Sequence, residues 1–408
     1  MPTRRRSLRV ALIGLAALAV GAGAGGYLLL RGDGSVEGSG EGFVATETTR
    51  PAAEANAAWP EYGFDPARTR ANASLRLEPP FSERWRFAAN SLIEFPPVVA
   101  RGRAVLGTND GRAIGIDIRT GARLWQTRLD GQMASSPAIA DDIALFTTTR
   151  GELVALTVAD GTRRWSRKVG TSSESSPLVV DGSAYVGTLD GSVLRIDTTS
   201  GEVVWTATAA GDVKSSLALA GPNVVVGDYA GVVTAFSRAD GRVVWQTTSP
   251  GPRFRGSGRF YAGPAVAYGR VYIGNVNGRI VAMQADTGRI AWVRLVGDFV
   301  YSSAAISDRT VFVGSYDHRL HALDAVTGKP RWTFDTGERI SGSASVIGRL
   351  VYVSTLAPGG RNGTTFALDV TTGGQVWSFP DGRYSPAVGV DGLLILSGRQ
   401  VLYGLAPG

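Results

Sequence analysis

The sequence predicts an all-β fold, an eight-bladed β-propeller that follows one N-terminal transmembrane helix. Tryptophans recur at Trp85, Trp125, Trp165, Trp205, Trp245, Trp292, Trp332 and Trp377, with gaps of 40, 40, 40, 40, 47, 40 and 45 residues. A period of this length marks stacked supersecondary units. Within each period, short alternating β-branched runs are separated by two-residue turn signals, the pattern of antiparallel hairpins. The apolar segment near the N-terminus has no counterpart in the rest of the chain.

The unit is clearest in AYVGTLDGSVLRIDTTSGEVVW (184–205), which aligns with AVLGTNDGRAIGIDIRTGARLW (104–125) and VFVGSYDHRLHALDAVTGKPRW (311–332). AYVG, VLRID and EVVW read as strands divided by Asp190-Gly191 and Ser200-Gly201, while SSPLVV (175–180) supplies a strand upstream. Four strands in about 40 residues make one blade. First strands register at Pro97, Pro137, Pro177, Leu217, Pro264, Ala304, Ala344 and Pro386, which counts eight. The last unit has no tryptophan, and Trp85 precedes the first complete unit. Residues 83–88 are therefore expected to be the outermost strand of the last blade and to close the ring. The eight tryptophans are expected to dock between neighbouring blades, as their large flat surfaces allow.

Before the repeat, residues 8–30 (LRVALIGLAALAVGAGAGGYLLL) carry one charge at their edge. At about 1.5 Å per residue this run spans a bilayer core of roughly 30 Å. Arg4, Arg5, Arg6 and Arg9 orient it with residues 1–7 in the cytoplasm and the propeller outside. A signal peptide cleaved near Ala22-Gly23-Ala24, giving a secreted domain, is the alternative. Residues 31–58, rich in small and polar side chains, read as a flexible linker. The propeller domain is set at 59–408.

The chain holds 42 basic and 35 acidic residues, a net charge of +7. Five of the basic residues (Arg4, Arg5, Arg6, Arg9, Arg31) precede the first acid, leaving 42 − 5 = 37 against 35 in the remainder. That near balance argues against nucleic acid as a partner. The absence of cysteine excludes thiolate metal sites, disulfides, a cysteine nucleophile and a lipidated cysteine.

The recurring ALD-x-x-TG-x-x-x-W pattern resembles the tryptophan-docking repeat of the pyrroloquinoline-quinone (PQQ) type propellers, and the resemblance covers about 59–408. The opening Trp59-Pro60-Glu61-Tyr62-Gly63-Phe64-Asp65-Pro66 resembles the lead-in that precedes the first blade in that superfamily. The resemblance implies two functional branches. One is the PQQ-dependent dehydrogenases, which hold PQQ and calcium on the propeller axis beside a vicinal cysteine pair, absent here, and a platform tryptophan. Only Trp59 stands outside the repeat set. The other is the BamB-like branch, which uses the propeller as a cofactor-free protein scaffold. Its members are lipoproteins, and this chain lacks the cysteine they require. The expectation is thus a non-catalytic binding scaffold without cofactor, with a PQQ-dependent dehydrogenase as the alternative.

Departures from the repeat mark the candidate site. The position three residues before each registered first strand reads Glu94, Ala134, Glu174, Lys214, Tyr261, Tyr301, Ser341 and Arg383. It should recur once per blade around one channel mouth, so Glu94, Glu174, Lys214, Tyr261, Tyr301 and Arg383 are candidate ligand-binding residues. The seven extra residues before Trp292 fall near PGPRFRGSGRFYAG (250–263), where Arg253, Phe254, Arg255, Arg259 and Phe260 form a candidate partner-binding loop for an envelope protein or a surface polymer. His318 and His321 are the only histidines. Placed on a strand they would point to opposite faces, so no metal site is expected. No nucleophile motif or phosphate loop is present.

Overall fold

The computed structural model describes residues 34–45, 56–251, 258–383 and 385–408. The expected anchor (8–30) and tail (1–7) lie outside them, and among the described residues no helix is long and apolar enough to cross a membrane.

The expected propeller is present as eight sheets. Blade 1 is Val98–Ala100, Arg103–Gly107, Arg112–Asp117 and Arg123–Arg128, paired antiparallel in that order. The next six blades repeat this plan, and in blade 7 a short strand, Ala71–Asn72, is added parallel to the innermost strand Ser345–Ile347. Blade 8 combines Val388–Val390, Leu393–Ser397 and Val401–Pro407 with Phe81–Ala88 as its outer strand. Ring closure therefore uses the N-terminal strand, two residues longer than the sequence suggested.

Hydrophobic clusters lie between blades rather than inside any one of them. Val98 and Leu129 of blade 1, for example, pack with Ile139, Phe146 and Leu156 of blade 2. The tryptophans lock the same seams. Trp85 Nε1 donates to the Ile118 carbonyl at 2.6 Å, Trp125 to Val158 at 2.9 Å and Trp292 to Ala325 at 3.0 Å. Each indole also lies against a glycine of the next blade. A Cβ on Gly121 would stand 2.8 Å from the Trp85 ring, and Gly121 has a φ of 71° that disfavours other residues. The Thr-Gly turn and the tryptophan of the repeat are thus two halves of one lock. Trp377 is an exception: blade 8 has no such turn, and this indole packs edge-on against Phe81 at 5.1 Å.

The lead-in segment runs round the inside of the ring and caps the inner strands one after another. The middle amide of the inner strand is satisfied in turn in blades 1, 2 and 4 to 7: Val99 by the Trp59 carbonyl at 2.8 Å, Ile139 by Pro60 at 2.7 Å, Leu219 by Pro66 at 2.7 Å, Val266 by Ala67 at 2.8 Å, Ile306 by Thr69 at 2.8 Å and Val346 by Arg70 at 2.8 Å. Blade 3 uses a side chain instead, with Val179 N–H donating to Glu61 Oε2 at 3.3 Å. Buried amides left without acceptors are costly, and this belt supplies the acceptors.

Arg68 fixes the belt. It is fully buried, donates to the carbonyls of Leu217 (3.0 Å), Pro177 (2.8 Å) and Tyr62, and pairs with buried Glu61 at 3.2 Å.

Part of the expected linker is also ordered against the propeller. Val36 exchanges backbone hydrogen bonds with Val293 on the outer strand of blade 5, at 2.7 and 2.9 Å. Arg270 donates to the Ser39 and Glu41 carbonyls at 2.7 and 3.2 Å, and its guanidinium lies 5.3 Å from the Phe43 ring centre. Phe43 stacks on Tyr268 at 5.1 Å. Composition suggested tether because few apolar residues are present. Here glycine serves close approach: a Cβ on Gly38 would lie 2.6 Å from the Val326 carbonyl and 2.8 Å from the Trp292 ring. Residues 31–33 and 46–55 lie outside the described residues.

Candidate functional site at the channel mouth

In seven successive blades, the turn between the second and third strands hydrogen-bonds back to the loop leading into that blade. Asn109 N–H donates to Leu92 O, Thr149 to Gln132, Leu189 to Ser172, Tyr229 to Asp212, Val276 to Arg259, Tyr316 to Phe299 and Leu356 to Arg339. Two residues after each of these acceptors comes the variable position identified in the sequence. Below it, serines lace one blade to the next: Ser136 N–H donates to Ser176 Oγ at 3.0 Å, Ser176 N–H to Ser216 Oγ at 3.2 Å and Ser303 N–H to Ser343 Oγ at 2.9 Å. The Ser-Ser pairs are small because they must link crowded neighbours around the axis.

These elements enclose a cavity of about 290 Å³ lined by Glu94, Glu174, Lys214, Tyr261, Tyr301 and Ser341. The structure thus brings together five of the six candidate ligand residues. Arg383 is not among the lining residues, although its charge is near enough to favour ionisation of Glu94. Tyr62 of the belt also lines the cavity, its hydroxyl 2.8 Å from Ser343 Oγ of the loop leading into blade 7.

The pocket has two unlike sides. On one, Lys214 Nζ is ion-paired and hydrogen-bonded to Glu174. Glu94 stands beside this pair, and burial, with the nearby Glu174 charge, raises its pKa above the ordinary carboxylate range against the opposing pull of Lys214 and Arg383. On the other, Tyr261, Tyr301 and Tyr316 line the cavity as part of a continuous aromatic wall that Tyr229 extends: Tyr229 to Tyr261 at 4.6 Å, Tyr261 to Tyr301 at 4.8 Å and Tyr301 to Tyr316 at 4.9 Å between centres. Phe299 adds to it at 5.9 Å from Tyr301. Arg259 and Arg339 lie over Tyr229 and Tyr316 at 5.8 and 5.5 Å, at the outer margin. Burial raises the Tyr229 and Tyr301 pKa values, keeping both phenols neutral.

The expected partner-binding loop is redistributed. Arg253, Phe254 and Arg255 lie outside the described residues. Phe260 does not face a partner: it is fully buried with Ala218, Val225 and Ile273, filling the space that Gly227 leaves open. Arg259 is exposed and belongs to the mouth. His318 is in a turn at φ 72°, not on a strand, while His321 Nε2 lies 2.9 Å from Asp317 Oδ2. Among the described residues no group of three or more acidic or histidine side chains could hold a metal ion.

Sequence reasoning missed Tyr62, Tyr229, Phe299 and Tyr316. The signal was available for three of them, because Tyr229 and Tyr316 share one repeat position and Phe299 shares another with Arg259 and Arg339.

The family model of the outer membrane protein assembly factor BamB matches residues 82–247, 119–304 and 294–408. The chain belongs to this BamB family of PQQ-like repeat propellers. No curated protein sequence matches it. Among solved structures, BamB from Moraxella catarrhalis is 18% identical, with a TM-score of 0.65 over 80% of this chain and 97% of that one. A quinohemoprotein alcohol dehydrogenase from Comamonas testosteroni is 14% identical, with a TM-score of 0.73 over 88% of this chain and 81% of that one. The computationally designed Ika8 protein is 17% identical, with a TM-score of 0.65 over 79% and 98%. A BamB-like propeller thus shares its fold with a dehydrogenase and a designed protein, and the fold alone selects no activity.

Proposed function

We propose that the chain is a non-catalytic, envelope-exposed binding scaffold whose channel mouth and edge loops contact an envelope protein or surface polymer. The observation that carries this reading is the mouth itself, a pocket with an aromatic side and a charged side on which Glu174 is already engaged by Lys214. That arrangement suits recognition. Family membership supports a scaffold role, and the N-terminal sequence pattern supports placement outside the cytoplasm on a single-pass anchor, or secretion after cleavage.

The likeness to a quinohemoprotein alcohol dehydrogenase motivates a second reading, PQQ-dependent oxidation. The residues do not fit the group well. Calcium takes six to eight oxygen ligands, whereas this mouth presents two glutamates, one bound to Lys214 and the other with its ionised form disfavoured by burial.

Two experiments separate the readings. Crosslinking of the full-length protein in its native envelope should capture a discrete partner, and Glu174→Ala with Lys214→Ala should reduce the capture. No capture, or capture that ignores both substitutions, would remove the support for a mouth-centred scaffold. Addition of PQQ and calcium to purified protein should give no dye-linked oxidation of alcohols or sugars; turnover would establish the enzyme reading.

A further inference from the structure

We infer that the mouth is a sugar-binding pocket that takes the terminal ring of a neutral glycan. The inference rests on the scaffold reading and names the chemistry of its ligand.

The two-sided character of the pocket carries the argument. Tyr229, Tyr261, Tyr301 and Tyr316 form an unbroken aromatic wall contributed by blades 4 to 6. The rest of the cavity lining supplies hydrogen-bonding groups: Lys214 and Ser341 flank the wall in blades 4 and 7, and Glu94 and Glu174 come from blades 1 and 3. A pyranose has the matching form, with apolar C–H faces that pack on aromatic rings and a rim of hydroxyls that donate to carboxylates and accept from ammonium and hydroxyl groups. A purely apolar ligand would strip water from Glu94 and from the Lys214–Glu174 pair without replacing those hydrogen bonds, which is costly.

Charge favours a neutral ligand. Within the cavity Lys214 balances Glu174, and Glu94 has its ionised form disfavoured by burial. A cation would meet Lys214, with Arg259 and Arg339 already placed over the outer tyrosines. An anion would meet Glu174 and Glu94.

Shape selects a chain end. A cavity of about 290 Å³ is at the small end of ligand pockets. That volume holds about one sugar ring, and Tyr62, tied to Ser343 by its hydroxyl, takes up part of the lining against the belt. The ligand enters from the mouth, with its first ring between the tyrosines and Glu94 and the remainder outside, where Phe299 is 45% exposed.

The test uses full-length protein in detergent, titrated calorimetrically with cellobiose, maltose and chitobiose. At least one should bind saturably. Tyr301→Ala should weaken that binding by about tenfold, the scale of one aromatic contact, while Tyr301→Phe stays within about threefold because the stacking face survives. Glu94→Gln, which keeps one acceptor, should weaken it less than Glu94→Ala. Circular dichroism and melting of each variant separate loss of binding from loss of fold. The inference is overturned if no disaccharide binds, if binding is unchanged in a folded Tyr301→Ala variant, or if a proline-rich or basic peptide binds in competition and more tightly. Loss of partner capture in the Glu174→Ala and Lys214→Ala variants alongside absent sugar binding would sink the sugar assignment and leave the scaffold standing.

Discussion

Two stretches of the N-terminal region, 34–45 and 59–72, attach to strand edges in the propeller, one outside the ring and one inside it. The outer strap covers a single edge, that of blade 5, through the backbone of Val36 and the Arg270 clamp. Its effect is local: Trp292 is fully buried, whereas Trp85, Trp125, Trp205 and Trp245 are 6–9% exposed. The inner belt meets seven blades in succession. The difference follows from solvent. An outer edge can hydrogen-bond to water, so covering it is optional. Amides at the inner edge face a narrow axis, where a missing partner costs about 1–3 kcal/mol each. An inner lining is therefore part of the fold, and an outer strap is an addition to it.

This contrast can be broken most severely at Arg68. Arg68→Ala would leave Glu61 buried without its cation and remove three donors to backbone carbonyls. A loss of about 3–5 kcal/mol is expected, read as a large fall in the denaturation midpoint or failure to fold. A midpoint near wild type would show that the belt is dispensable.

Gly38→Val should have a smaller and different effect. With no room for a Cβ against Val326 and Trp292, the strap should detach, and limited proteolysis should cut within 34–45 while the propeller core resists. The midpoint should fall by no more than about 1 kcal/mol equivalent, since a surface edge regains water. A loss as large as that of Arg68→Ala would erase the distinction between the two segments.

The smallest effect concerns the mouth. The folded-state pKa of Glu94 is raised, so its contribution to stability is present below the ordinary carboxylate value and is lost as pH rises through the raised one. Glu94→Gln should therefore match wild type near pH 4 and become the more stable protein at pH 7, by less than about 1 kcal/mol after allowance for solvent screening. Melting temperatures across that range would check the sign, and a variant less stable at pH 7 would contradict it.

The propeller was legible before any coordinates because its information is periodic. The tryptophan spacing set the blade count, the register of first strands placed Glu94, Glu174, Lys214, Tyr261 and Tyr301 around one mouth, and the unmatched Trp85 required the composite last blade. The remainder depended on segments outside the repeat or on contacts between distant residues. Glycine in 34–45 reads as freedom in a sequence, and only the proximity of Trp292 and Val326 turns it into a packing requirement. Phe260 reads as an exposed aromatic among arginines until the vacancy beside Gly227 draws it inward.

The sequence by itself thus determined the repeat, the number of blades, the closing strand and most of the ring of variable residues, because turn and packing rules act locally and recur every 40 residues or so. Tertiary structure alone decided that the lead-in winds inside the channel, that Tyr62 joins the pocket lining and that the tyrosines form a single wall in the same cavity as Glu94 and Lys214. These features depend on which residues meet across the axis, and no spacing along the chain encodes a path that crosses seven blades once.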